Sequence, residues 1–285
     1  GYLINPPSWS NGTIISLLSQ NRGNSNKASQ KCYHAISKNT GESMWIYGLN
    51  PVLEAIKSGR DIKELYLSSG RHEKLFLIEK EAGKRKIPVK LVDIGFFNEK
   101  FPKGHQGIAA SVSQKEYTDF NELLNIPAGK NELPFFLILD CIEDPRNVGA
   151  ILRSADAAGV HGVVIQEHRS AGLGPDVSKA SAGAVEYVPV SQVNNVKHAI
   201  SEMKEMNITI IGAEASSEIM PWDIDLSIPV ALVIGSEGKG IRKTVAERCD
   251  FIVSLPMRGM VNSLNVSVAG AVLMFEVLRQ RARKN

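Results

Sequence analysis

The second half of the chain contains short, uninterrupted apolar runs that recur with helical patterns between them. The runs are "FFLILD", "GVVIQ", "VEYVPV", "ITIIGA", "VALVIG" and "FIVSLP". Strands that are buried on both faces of a parallel sheet have such continuous apolar sequences, whereas half-exposed strands alternate apolar and polar residues. The helical patterns are "NVGAILRSADAAG", "PDVSKASAGA", "NNVKHAISEMKEM" and "IRKTVAERC". We therefore predict an open, parallel-sheet α/β domain of about six strands, in which ligands collect at the carboxyl ends of the strands.

A smaller α/β region precedes this domain. In the segment "YGLNPVLEAIKSG", Asn50 is predicted to cap a helix, with Pro51 at its first position and Gly59 just past its end. Three predicted strands, "IKELYLS", "IPVKLV" and "GIAASVS", alternate with two predicted helices, "EKLFLIEKEAGKRK" and "DIGFFNEKF". This pattern predicts a small α/β sandwich that ends near Ser113.

The order of these patterns divides the chain into four segments. They are a disordered or processed extension at 1–43, a small domain at 44–115, a linker at 116–134 and the large domain at 135–285. The linker is predicted from Pro127, Gly129 and Pro134, which interrupt both kinds of periodic pattern. The extension is rich in Ser and Asn, which is typical of disorder and also permits an organellar transit segment. The expected location is therefore the cytoplasm or an organellar matrix.

Charge is distributed unevenly along the chain. The whole chain has 33 basic and 30 acidic residues, but residues 44–115 have 13 basic and 8 acidic. A net positive small domain is the part that a polyanion such as RNA would prefer. Cys32, Cys141 and Cys249 lie far apart, which argues against a disulfide framework or a zinc site. We therefore predict no metal. No apolar run approaches the roughly 18 residues of a membrane span, so we also predict no membrane partner.

Three of the predicted strand ends carry polar or glycine-rich loops. After the first, Asn147 is expected to begin a helix that carries Arg153 close to two turns later. The second loop, "GSEGKGI", projects Glu237 and matches neither the dinucleotide fingerprint nor the P-loop. In the third, "LPMRGMVNSLNVSVAGAV", Ser263 and Asn265 are so close in sequence that they can face one site only in a loop or at a helix start. Each loop alone also has a plain structural explanation, as a helix cap or a tight turn.

Taken together, the N-x5-R spacing in "NVGAILR", the "GSEGKGI" loop and the "LPMRGMVNSLNVSVAGAV" ending resemble the motifs of the SpoU, or TrmH, family of RNA ribose 2′-O-methyltransferases. The region from Tyr47 to Ser113 is similar to the substrate-binding domain of the subgroup that methylates guanosine in large-subunit ribosomal RNA. The resemblance implies a C-terminal trefoil knot, S-adenosylmethionine as cofactor, and a homodimer with the active site near the subunit interface. By position, the cofactor would be bound by Gly235, Leu255, Met257 and Leu264.

The same resemblance implies a set of catalytic residues, which are Asn147, Arg153, Glu237, Ser263 and Asn265. The family's arginine is proposed to act as a base on the ribose hydroxyl, yet neutralising a guanidinium near pH 7 would cost about 7 kcal/mol. A charged Arg153 that holds a neighbouring phosphate and stabilises the developing alkoxide needs no such deprotonation. The other four residues would orient the ribose and the arginine. Arg258 and Asn262 are further candidates for RNA contacts.

Three alternatives stay open at this point. The chain could be a transfer-RNA ribose methyltransferase, although the transfer-RNA enzymes of this family usually lack the small domain. It could be a non-catalytic RNA-binding assembly factor with the same fold, although all the catalytic positions match the family pattern. A nucleotide-dependent oxidoreductase is disfavoured because the dinucleotide fingerprint is absent from the sequence.

Overall fold

The computed structural model describes residues 43–70, 73–260 and 263–284. Except for Ser43, the predicted N-terminal extension lies outside the described residues, and so does Asn262. The described residues form two sheets, each with helices packed on both of its faces. This confirms the predicted fold class, a small α/β domain followed by a parallel-sheet α/β domain. The trefoil knot stays a prediction.

The small domain is built on a four-stranded sheet in the order β1-β4-β2-β3. Its elements are β1 (Ser43–Tyr47), α1 (Leu49–Ser58), β2 (Ile62–Ser68), α2 (Glu73–Lys84), β3 (Val89–Val92), α3 (Ile94–Lys100) and β4 (Ile108–Ser113). Strands β2 and β3 are parallel, whereas β4 pairs antiparallel with β1 and with β2. Helices α1 and α2 cover one face of the sheet, and α3 covers the other with the buried Phe97.

The beginning of the small domain differs from the prediction in two respects. Strand β1 was not predicted, because its side chains alternate between two buried faces and show no apolar–polar alternation. Helix α1 begins at Leu49, before the predicted cap Asn50. The Leu49 N–H donates instead to the side-chain oxygen of Gln106, at 3.0 Å. The predicted end of α1 is confirmed, since Gly59 follows it with a left-handed φ of 80°.

The large domain is built on a six-stranded sheet in the order β10-β8-β9-β5-β6-β7, in which all neighbouring pairs are parallel. The strands are β5 (Phe135–Asp140), β6 (Gly162–Gln166), β7 (Val190–Val193), β8 (Thr209–Ala213), β9 (Val230–Gly235) and β10 (Phe251–Val253). The helices are α4 (Phe120–Lys130), α5 (Pro145–Ala158), α6 (Pro175–Ala180), α7 (Val196–Glu205), α8 (Lys243–Ala246) and α9 (Val266–Lys284), with 3-10 turns at Ala184–Glu186 and Pro221–Asp223.

Helices cover both faces of the large sheet, as the continuous apolar strands require. Every residue of the central strands β5 and β9 is buried. Helices α5, α6 and α9 contribute to the apolar cluster on one face, and α4, α7 and α8 contribute to the cluster on the other. The carboxyl ends of parallel strands lie at one edge of their sheet, so the three loops singled out in the sequence meet at the same edge.

The segment predicted as a linker, residues 116–134, contains helix α4 instead of an irregular connection. The Asp119 side chain caps this helix and accepts the Asn121 N–H at 2.8 Å. Leu123 is fully buried and fills the space beside Gly162. Pro127 lies inside the helix, and its usual cost is outweighed here by the cap and the buried leucines. The helix ends only after Pro127, at a left-handed Asn131.

The predicted strand "VEYVPV" is wrong for all but its last residue. Residues Ala184–Glu186 form a 3-10 turn, and strand β7 begins only at Val190. The apolar residues of this segment pack into the core, but Glu186 is buried against the small domain. An apolar run that contains one buried acidic residue was therefore misread as a strand of the sheet.

Candidate active site

The loops at the carboxyl edge of the large sheet enclose a cleft of about 890 Å³. Its walls come from the segments that follow β5, β6, β8 and β9, and they include Asn147 and Glu237. Among the described residues, no group of three or more histidine, cysteine, aspartate or glutamate side chains could hold a metal ion. Within that part of the chain, no helix is both long and apolar enough to cross a membrane.

Helix α5 places Asn147 at the mouth of the first loop. The sequence predicted that Asn147 begins this helix, but the helix begins at Pro145, with Asp144 as its cap. The Asp144 carboxylate accepts the Arg146 N–H at 2.8 Å. Because the capping role falls to Asp144, the Asn147 side chain is not needed for the helix start and is available to the site. Only 8% of Asn147 is exposed.

Asn147 connects the three loops through hydrogen bonds. Its side-chain N–H donates to Glu237 Oε2 at 3.3 Å. Its side-chain oxygen accepts from the Asn265 side-chain N–H at 3.0 Å. Three of the five predicted catalytic residues, from segments far apart in sequence, therefore form one hydrogen-bonded chain.

Asn265 combines two roles that the sequence left as alternatives. Its Oδ1 accepts from the Ser267 backbone N–H at 3.0 Å and from the Ser267 hydroxyl at 2.6 Å, so Asn265 caps the start of α9. Its Nδ2 at the same time donates to Asn147. Ser263, two residues earlier, is exposed and lies in the loop that leads into this helix. The Asn265 side chain therefore caps the helix and also belongs to the site.

Arg153 does not belong to the hydrogen-bonded chain. It lies on the exposed side of α5, and its guanidinium has no ion-pair or hydrogen-bond partner among the described residues. Arg153 follows Asn147 by six positions, so the two side chains point about 120° apart around the helix axis. One copy of the protein thus brings Asn147, Glu237 and Asn265 together and leaves Arg153 outside this group.

The glycine-rich loop after β9 is a tight reversal that projects Glu237. Ser236 and Gly240 exchange two backbone hydrogen bonds, of 3.0 and 2.9 Å, across the reversal. Gly238 and Gly240 have positive φ angles of 83° and 66°. A Cβ on Gly235 would lie 2.1 Å from the Gly240 carbonyl carbon. The absence of a side chain at 235 therefore permits the close return of the loop.

A buried ion pair that the sequence reasoning missed holds the end of this loop. Asp140, at the end of β5, is fully buried and accepts the Arg242 backbone N–H at 2.8 Å and its Nε–H at 2.7 Å. The Arg242 guanidinium also donates to Gln166 Oε1, at 2.7 Å. The bond to Asp140 raises the pKa of Arg242. The acidic residue at the end of β5 and the basic residue after the glycine-rich loop were visible in the sequence. Their pairing could not be predicted, because it depends on β5 and β9 being neighbours in the sheet.

The ion pair also affects the residue that follows Asp140. Cys141 has a φ of 60°, an uncommon value for a residue with a side chain. Burial raises the pKa of its thiol, and the nearby Asp140 carboxylate raises it further. The thiol therefore stays protonated at neutral pH, which makes Cys141 a poor nucleophile.

The residues predicted to bind the cofactor are not among those that line the cleft. Leu255 follows β10 and packs against the apolar cluster, Met257 is half-buried, and 40% of Leu264 is exposed. The segment is anchored by Ser254, whose hydroxyl donates to the Ser217 carbonyl at 2.8 Å. Partly exposed apolar side chains on an anchored segment fit the apolar contacts that an adenine ring requires.

Comparisons with known proteins agree with this architecture. The SpoU rRNA Methylase family matches residues 134–275, and the RNA 2′-O ribose methyltransferase substrate binding family matches residues 45–118. The Bacillus subtilis protein YacO, named as a TrmH family tRNA/rRNA methyltransferase, is 42% identical over 241 residues, which cover 83% of this chain and 96% of YacO.

Two solved structures share the fold. The SpoU methyltransferase AviRb from Streptomyces viridochromogenes, in complex with AdoMet, superposes with a TM-score of 0.73 at 22% identity and covers 89% of this chain and 98% of its own. The AdoMet-bound rRNA methyltransferase from Sinorhizobium meliloti superposes with a TM-score of 0.68 at 22% identity and covers 83% of this chain and 87% of its own. From the family matches and the identity to YacO, we conclude that this chain belongs to the SpoU/TrmH family of RNA methyltransferases.

Proposed function

We propose that this chain transfers a methyl group from S-adenosylmethionine to the 2′-hydroxyl of a guanosine in large-subunit ribosomal RNA. The observation that carries the proposal is the presence of a complete substrate-binding domain beside the cleft. The transfer-RNA enzymes of the family usually lack such a domain. Its excess of basic residues, 13 against 8 acidic, favours contacts with the phosphates of a large RNA away from the reacting ribose.

The cofactor and the RNA strand would occupy adjacent parts of the carboxyl edge. S-adenosylmethionine, when bound, supplies a methyl group that its sulfonium has already activated. Leu255, Met257 and Leu264 would contact its adenine, and the backbone near Gly235 would supply polar partners. Two solved structures that share the fold, those of AviRb and of the Sinorhizobium meliloti methyltransferase, hold AdoMet. Lys239 and Lys243, which line the cleft, would contact the phosphates that flank the target ribose.

The residues of the chain then have to orient the ribose and stabilise negative charge on its oxygen. The buried Asn147 is held between Glu237 and Asn265, so its amide is preorganised and needs no rearrangement during the reaction. We assign these three residues to positioning the ribose, and Ser263 to the same task from the adjoining loop. Arg153 would hold a phosphate and stabilise the developing alkoxide as a charged guanidinium.

The position of Arg153 makes the homodimer part of this proposal. Helix α9 has four exposed apolar residues within about 120° of its circumference. They are Val268, Val272, Phe275 and Leu278, each between 40% and 48% exposed. A second copy of the chain packed on this stripe would bury it. A site near the subunit interface would also explain why Arg153 is exposed on its own chain.

We expect the purified protein to sediment with twice the mass of one chain, because burying the α9 stripe removes apolar surface from water. The double substitution Val272→Glu and Phe275→Glu places two like charges in that interface and should give a monomer. The matched control is Glu205→Gln at the end of α7, which should stay dimeric. A wild-type protein that is monomeric at all concentrations would contradict the proposed dimer.

Mapping of 2′-O-methyl groups tests the proposed activity. RNA from cells without the gene should lack one ribose methyl group in large-subunit ribosomal RNA, and wild-type protein supplied from a plasmid should restore it. An Asn147→Ala protein should not restore it. A methyl group lost from transfer RNA would favour the alternative substrate. Unchanged methylation of both RNAs would favour the non-catalytic assembly factor.

A further inference from the structure

The small domain rests on one part of the large domain, helix α6 and the 3-10 turn that follows. The Lys179 ammonium donates to the Lys103 carbonyl at 2.8 Å and lies 4.5 Å from the ring centre of Tyr47. The Tyr187 hydroxyl donates to Glu54 Oε2 at 2.7 Å. Burial and the bond to Glu54 raise the pKa of Tyr187 to about 12, so the hydroxyl keeps its proton.

An ion pair buried between the domains holds this contact. Arg60 Nη1 lies 2.6 Å from Glu186 Oε1, and the two side chains are only 6% and 1% exposed. Arg60 also donates to the Ser113 carbonyl through Nε, at 3.1 Å, and through Nη2, at 2.6 Å. Lys115 donates to the Glu186 carbonyl at 3.0 Å. Separating the domains would break the Arg60–Glu186 contact and the Lys115 bond to the Glu186 carbonyl together, which opposes independent motion of the small domain.

The two domains approach each other so closely that one position requires glycine. Gly183 has a φ of 94°, and a Cβ there would lie 2.6 Å from the Glu54 Cβ. The contact therefore involves the backbone of the large domain and a side chain of the small domain without a gap between them.

The surface that carries the small domain is itself packed against the helix of the active site. A Cβ on Gly149 of α5 would lie 2.4 Å from the Ala180 Cβ and 2.8 Å from the Ser181 nitrogen. Gly149 is two residues from Asn147 in the same helix. A continuous series of close contacts thus connects the small domain, helix α6 and the residue at the centre of the site.

We propose that the docked small domain is a specificity determinant, and that the Arg60–Glu186 pair holds it at a fixed distance from the Asn147–Glu237 site, so that this distance selects the nucleotide that is methylated. The inference rests on the proposed function. An RNA bound to both domains presents to the cleft only the ribose at the matching distance. Misplacement of a reacting group by about 1 Å can lower a rate about a hundredfold, so a rigid distance can select one ribose among its neighbours.

The test compares the wild-type protein and three variants on two RNAs with labelled S-adenosylmethionine. The long substrate is an unmodified transcript of the RNA that the wild-type protein methylates, and the short one contains only the target nucleotide and its nearest neighbours. Arg60→Ala with Lys179→Ala removes contacts across the interface. Glu186→Gln keeps the shape of the side chain and removes its charge, in case the double variant does not fold. Lys204→Ala removes an exposed ion pair with Asp250, far from the interface, and is the control.

On the long RNA, both interface variants should lose about tenfold to a hundredfold in kcat/KM and should methylate additional riboses near the target. On the short RNA, which cannot contact both domains, they should match the wild-type protein and Lys204→Ala. Small-angle X-ray scattering should show a larger radius of gyration for the double variant. A merely structural role for the pair would lower activity on both RNAs alike.

Two results would overturn the inference. One is a double variant that separates in scattering yet methylates the single wild-type position with unchanged kcat/KM. The other is a double variant whose domains stay docked as in the wild-type protein. If the wild-type protein transfers no methyl group to any RNA, the proposed function itself fails, and this inference fails with it.

Discussion

Arg153→Lys is expected to lower methyl transfer about a hundredfold to a thousandfold while leaving the affinity for S-adenosylmethionine unchanged. Lysine keeps the positive charge but loses the planar, two-pronged donor set that can hold a phosphate and face a developing alkoxide together. Arg153 is exposed and has no partner among the described residues, so the substitution has little to disturb in the folded chain. The effect should therefore appear in the chemical step and not in stability.

Single-turnover rates with saturating cofactor, together with calorimetric binding of S-adenosylmethionine, separate these effects. Arg248→Lys, an exposed arginine near the end of α8, is the matched control and should keep the wild-type rate. Wild-type turnover in Arg153→Lys would remove Arg153 from the mechanism. An equal loss of cofactor affinity would instead place it at the cofactor.

Arg242→Ala is expected to lower the free energy of unfolding by about 3 kcal/mol. The substitution leaves the Asp140 carboxylate fully buried with one backbone N–H in place of an ion pair. Because the Arg242 side chain is 34% exposed, water can reach part of the vacated space, which keeps the loss at the lower end of the range for broken buried pairs. The loop that projects Glu237 should become mobile, so methyl transfer should fall as well.

Urea unfolding at neutral pH measures this loss. Lys204→Ala breaks an ion pair whose side chains are 37% and 36% exposed, and it should cost less than about 1 kcal/mol. The double variant Asp140→Ala with Arg242→Ala should recover part of the stability, because it removes the stranded charge. Equal losses in Arg242→Ala and Lys204→Ala would show that the Asp140 pair contributes no more than a surface pair.

The predictions that held were those in which one segment determines its own environment. The runs at β5 and β9 are apolar throughout because both faces of each strand are covered, and the sequence alone indicated this. Helix α4 was missed because Pro127 and Gly129 are local signals, whereas burial of Leu123 depends on a distant strand. The 3-10 turn at Ala184–Glu186 was missed for the same reason, since its buried acid is paired with the other domain.

In the site, too, the contacts between distant segments could not be predicted from any one segment. No rule of spacing brings Asn147, Glu237 and Asn265 together, and they were predicted only through the family resemblance. The structure adds their contacts and shows that Arg153 is outside them. The Asp140–Arg242 pair was not predicted at all, because opposite charges on separate segments become partners only through the order of strands in the sheet.

The double role of Asn265 has a consequence for the orientation of the amides. Its oxygen is occupied by two donors from Ser267, so its amide cannot rotate by 180° without losing both bonds. Nδ2 must then face Asn147, which in turn must present its side-chain oxygen to Asn265 and its side-chain N–H to Glu237. The start of α9 thereby sets the direction of every donor in the series, and Glu237 lies at its acceptor end. A ribose hydroxyl that enters beside Glu237 would meet a carboxylate that already accepts a hydrogen bond from Asn147. Every donor of the series then has a fixed direction, and the hydroxyl proton of the ribose is the only one that the series does not orient.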